Sequence, residues 1–93
     1  MKFKMKKSYM VFGVRFKIKF IDTNNFLGLC DPDAKTIFIN INQSEEQILA
    51  TFWHEMFHAK QFVLGMNNAI SKEMMEMLAE NSATLVMGIL KGK

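Results

Sequence analysis

Residues 51–62 read TFWHEMFHAKQF and hold both histidines of the chain, His54 and His58, with Glu55 between them. On a helix turning about 100° per residue, two positions four apart project from the same side, about 40° from each other. Gln47, Thr51, Gln61 and Gly65 fall on that strip, while Leu49, Phe52, Met56, Ala59 and Val63 lie opposite. The segment therefore reads as an amphipathic helix whose apolar back must be buried against something. Its ends are marked as well. Ser44 is an N-cap followed by Glu45 and Glu46, Gln47 completes a capping box, and Gly65 stops the run, which predicts a helix from 45 to about 64.

What the helix packs on lies upstream. Residues 14–20 alternate apolar and basic side chains with period two, as in a strand with one covered face. Residues 2–5 are read as a short partner strand, turned at 6–8. After the polar break at 22–25, FLGLC is read as a strand, Asp31-Pro32-Asp33 as a turn, and KTIFINI as the hairpin partner of FLGLC. Downstream, residues 66–70 form a turn, and Ser71 caps a second helix running to about residue 90. The expected fold class is α+β, a single domain spanning 1–93 in which a small antiparallel sheet of three to four strands packs against two helices.

The histidine spacing carries a specific chemistry. Two neutral imidazoles at i and i+4 can hold one tetrahedral zinc ion, and the residue after the first histidine reaches a water on the metal without ligating it. Glu55 is thus the candidate general base, taking a proton from zinc-bound water and passing it to a leaving amine.

A catalytic zinc of this kind needs a third protein ligand, and the chain has no third histidine. A carboxylate must serve. Glu73, Glu76 and Glu80 stand at i, i+3 and i+7 on one face of the second helix. That strip continues through Ala83, Thr84 and Met87 with no further charge before Lys91, so its carboxylates call for a positive partner. At about 1.5 Å per residue in an antiparallel helix pair, Glu76 and Glu80 are both within range of His58, and Glu73 lies nearer the turn.

HEMFH on a capped helix, followed by a glutamate-bearing helix, resembles the glutamate-zincin metallopeptidases. The whole chain is similar to the small metallopeptidases encoded by phages and prophages: Gly28 followed by Asp31, the strand TIFINI, the histidine helix, then Glu73, Glu76 and Ala79. The resemblance implies a minimal zincin fold with His54, His58 and Glu76 as zinc ligands and Glu55 as base. It makes Glu80, four residues after Glu76, the group that orients a zinc histidine. It also implies that residues 36–41 form the sheet edge receiving an extended peptide or protein substrate. The chain lacks a second lobe, and no tyrosine, histidine or arginine follows the motif to stabilise an oxyanion. Tyr9 and Arg15 are the only upstream candidates.

Composition narrows the alternatives. With 49% hydrophobic residues, 12% aromatic residues and one proline, the 93 residues read as one folded domain. Nine methionines fit a core-filling or interface role. The net charge of +3 arises near the N-terminus, where seven of the twelve basic residues fall in the first nineteen positions. Because they alternate with Phe16, Ile18 and Phe20, they read as the solvent side of a half-buried strand rather than as a nucleic-acid footprint. Arg15, Lys17 and Lys19 interrupt any signal-like apolar run, and no segment is long enough to span a bilayer. One cysteine, Cys30, cannot form an internal disulfide, so a cytoplasmic location is expected, the host cytoplasm if phage-encoded. The rivals to a peptidase are a non-catalytic module stabilised by zinc and a nucleic-acid-associated protein using the basic N-terminal strands, whose binding would weaken steeply with salt. The apolar run at 83–90 is a candidate homodimer surface.

Overall fold

A computed structural model describes residues 5–65 and 71–91. The elements are β1 (Ser8–Val11), β2 (Val14–Ile21), β3 (Gly28–Asp31), β4 (Thr36–Asn40), α1 (Glu45–Val63) and α2 (Lys72–Lys91). Four strands and two helices make the α+β layout expected from sequence. Residues 2–4, part of the strand expected at 2–5, and the turn expected at 66–70 lie outside the described residues.

Among the described residues β2 pairs with β1, antiparallel, with Tyr9 opposite Phe16 and Val11 opposite Val14. The connection is the two-residue turn Phe12-Gly13, with φ of 47° and 83°. Positive φ at both positions gives the twist that matches a tight hairpin. Gly13 adopts it freely, whereas bulky Phe12 obscures the turn signal in the sequence.

The strand order is β1-β2-β4-β3. The chain leaves β2, runs out to the edge as β3, and turns back through 31–35 to insert β4 between them. The turn holds a hydrogen bond from Ala34 N to Asp31 Oδ1 (3.2 Å), and Lys35 takes a positive φ of 49°. β4 is therefore parallel to β2 and antiparallel to β3, and the sheet is mixed rather than purely antiparallel. β4 is also the most buried strand, with Thr36, Ile37, Ile39 and Asn40 all inaccessible. Both of its edges are paired, so the peptide-receiving edge expected at 36–41 is not there. The free edge beside the helices belongs to β3.

One face of the sheet presents Phe16, Ile18, Ile37 and Ile39, and α1 lies on it with Phe52 and Ala59 pointing in. Each such buried large side chain contributes about 1.5–3 kcal/mol. Tyr9 closes the far end of this core with its ring 5.0 Å from that of Phe52. Ser44 Oγ accepts from Gln47 N at 3.1 Å and starts α1, and Gly65 at φ 72° follows its last turn. α2 packs on α1 rather than on the sheet. Its inner face is made of small residues, buried Ala79 and Ala83, which bring the helices close. Its outer face leaves Met74, Leu78, Leu85 and Ile89 exposed. No described helix is long and apolar enough to cross a membrane.

Candidate metal centre

The core fixes the roll of α1. With Phe52 and Ala59 turned into the sheet, His54 and His58 must face α2, their rings 4.9 Å apart. Close packing through Ala79 and Ala83 brings Glu76 to them from the other helix. Glu76 Oε1 lies 2.7 Å from His54 Nε2 and 3.2 Å from His58 Nε2, and the two ring nitrogens are 3.2 Å apart. Ligand atoms placed 2.0–2.1 Å from a tetrahedral ion are about 3.3 Å from one another. Two edges of the observed triangle match that spacing, and the third is the length of a hydrogen bond. His54, His58 and Glu76 can therefore hold a metal ion.

The other ring nitrogens are also engaged. His54 Nδ1 is 2.8 Å from Glu80 Oε2, and His58 Nδ1 is 3.0 Å from Gln61 Oε1. Such bonds set the tautomer and hold each ring at a fixed angle, with Nε2 aimed at the centre. Gln61, itself buried, also donates from Nε2 to the carbonyl of Met75 at 2.9 Å, immediately before Glu76. It thus ties one ligand to the backbone that carries another. Its position three residues after His58 was visible in sequence, but nothing there distinguished it from any polar residue of the strip. Glu73 lies in the first turn of α2, outside the cluster.

Charge and burial are arranged unequally among these groups. Burial opposes charge on the His54 ring, but its hydrogen bond with Glu76 and the nearby carboxylates of Glu55 and Glu80 outweigh burial and raise its pKa. At Glu76, partial burial pulls the pKa up and the bonds with both histidines pull it down further, so the carboxylate lies below its ordinary range. Glu55 behaves oppositely. Only 7% of it is exposed, and burial raises its pKa despite the neighbouring imidazoles, with Glu76 adding to the rise.

Glu55 reaches its place because Gly28 gives it room. A Cβ at Gly28 would overlap Thr51 Cγ2 and come within 3.0 Å of Glu55 Cγ and 3.1 Å of its Oε2. Gly28→Ala should force β3 away from α1, at a cost of about 1–3 kcal/mol, lowering the melting temperature by on the order of 10 °C. Thermal unfolding followed by circular dichroism checks this; an unchanged midpoint would show that strand and helix are not in tight register.

Two cavities flank the centre along β3. One of about 800 Å³ runs past Leu27, Ala50, Ala83 and Met87, and one of about 560 Å³ past Leu29, Cys30, Phe62 and Met75. Gly28, Glu55 and Glu76 border both, so the cluster sits midway along a groove below the free strand edge. Cys30 is half-buried, and burial, then Glu55 and Asp31, push its thiol up to about 12. It is no thiolate at neutral pH. Tyr9 and Arg15 stand outside the groove: the Tyr9 ring packs on Phe52, and Arg15 bonds Ser8 Oγ on the opposite face of the sheet. No protein-family model matches the chain, and no match is found among curated proteins.

Proposed function

We propose that the chain is a zinc-dependent metallopeptidase that hydrolyses peptide bonds, with His54, His58 and Glu76 as ligands and Glu55 as general base. The observation that carries the reading is the triangle of His54 Nε2, His58 Nε2 and Glu76 Oε1 with a buried carboxylate beside it. Two imidazoles and one carboxylate, leaving a coordination position open, form a donor set that suits catalytic zinc. Zinc held there by His54, His58 and Glu76 would supply Lewis acidity toward the substrate carbonyl and lower the pKa of an attacking water to about 7. Glu55 takes the proton at its carboxylate and returns it to the leaving nitrogen. Its raised pKa suits a group that must hold a proton between those steps. Glu80 and Gln61 keep the two rings oriented throughout. An extended peptide adds to the free edge of β3 through main-chain hydrogen bonds, its side chains entering the cavities on either side. The half-buried, protonated Cys30 fits the reducing cytoplasm.

One observation favours a second reading, a zinc-stabilised interaction module without catalysis. With Tyr9 and Arg15 both away from the groove, no tyrosine or arginine is left to stabilise an oxyanion. Zinc titration of the chelator-stripped chain, combined with incubation against a broad peptide library, separates the two. The peptidase is expected to take up one zinc per chain and to cleave. One zinc without cleavage selects the module, and no zinc uptake discards both.

A further inference from the structure

The peptidase reading does not use the charge of the first strands, and the sheet register shows where that charge goes. Arg15, Lys17 and Lys19 alternate along β2 with buried Phe16 and Ile18. They stand together on the face opposite α1, about 6.7 Å between successive like-facing residues. Neither described helix packs against this face. All three cations are exposed.

This cationic row lacks internal neutralisation. Arg15 donates to Ser8 Oγ at 2.9 Å, and Lys17 and Lys19 have no ion-pair partner among the described residues. No acidic residue precedes Asp22 in the sequence. By register, Asp31 shares this face, but it lies two strands from Lys17, across Thr36, and accepts from Ala34 N. Beside Lys19 in register is Phe38, half-buried in β4, with exposed Leu29 next to it.

We infer that this open face of the sheet binds single-stranded nucleic acid, the row on β2 tracking the phosphates and Phe38 offering a surface for a base. Cations in file along one strand match a linear polyanion, since their spacing is on the scale of successive phosphates in an extended single strand. An aromatic ring on a sheet next to such a row is the arrangement on which bases stack. A membrane surface would instead ask for a broad apolar patch beneath the charges. Here the apolar surface beside the row is confined to Phe38 and Leu29, and Phe38 is flanked along β4 by the buried polar residues Thr36 and Asn40. Because the surface lies across the sheet from the metal cluster, the inference stands apart from the peptidase reading.

The test is fluorescence anisotropy of a labelled twenty-residue oligothymidylate with the zinc-loaded full chain. Three phosphate contacts give a log–log salt slope of about −2, so affinity is expected to fall about 15–20-fold between 50 and 200 mM NaCl. The triple variant Arg15→Gln, Lys17→Gln, Lys19→Gln should bind at least tenfold more weakly at 50 mM. Lys60→Gln, which removes a cation from α1, should bind like the unmodified chain. The three substituted residues are exposed, and an unchanged circular dichroism melt keeps the comparison valid. If the triple variant melts early, single substitutions to glutamine replace it, each expected to reduce the salt slope. Absence of binding at 50 mM, salt-independent binding, or equal affinity of the variant overturns the inference. So does capture by phosphatidylserine vesicles without oligonucleotide binding.

Discussion

Glu55→Gln is expected to leave zinc uptake at one ion per chain while cutting peptide cleavage by about 10²–10⁴-fold, the usual contribution of a positioned general base. The two effects separate because Glu55 contributes no atom to the ligand triangle, which is complete with His54, His58 and Glu76. Its carboxylate lies beneath Gly28 and borders both cavities, and it is not among the three clustered donors. Glutamine keeps the shape and loses the basicity. The same substitution should leave the melting temperature equal or higher, because burial disfavours the ionised carboxylate and a neutral amide escapes that penalty. Gain in stability with loss of turnover is the pattern of a residue kept for chemistry. Cleavage at the original rate by the variant would remove Glu55 from the mechanism, and loss of zinc would make it a ligand.

The second large effect separates the two glutamates of α2. Glu76→Ala deletes a ligand atom that lies within 3.2 Å of both imidazole nitrogens, and zinc should no longer be held in competition with a chromophoric chelator. Glu80→Ala removes only the partner of His54 Nδ1 and should weaken zinc by about 10–100-fold. Both side chains are more than half exposed, so neither loss should unfold the chain. The reverse ranking would exchange their roles.

Much of this site was legible because it rests on local rules. The cap at Ser44, the stop at Gly65 and the i, i+4 histidines are each set by the residues next to them, and α1 was expected within a residue of where it lies. The glutamates could be narrowed to Glu76 and Glu80 by helix rise alone. What escaped the sequence depends on distant pairing. Nothing in KTIFINI says whether its neighbours are one strand or two, since a strand buried on both sides reads like any apolar run. The exchange of edge and centre between β3 and β4 therefore became visible only with the register. Gly28 was notable as a residue, but that it makes room for Thr51 and Glu55 follows from a helix more than twenty residues away. Gln61 gained its role from a carbonyl on α2.

Because α2 rests on α1 and not on the sheet, it is the element whose detachment disturbs least of the protein. Side-chain hydrogen bonds between the helices join the cluster and its supports: Glu76 with both histidines, Glu80 with His54, and Gln61 with the carbonyl of Met75. Without an ion, several carry charge that water can satisfy as well. In the language of native-state exchange, α2 is expected to open ahead of the sheet, and ion capture would then be thermodynamically linked to its closing. Metal affinity then measures two things at once, the donor atoms and the ease with which a helix settles into place. Altered packing at Ala79 or Ala83 would retune affinity from a seam that never touches the ion.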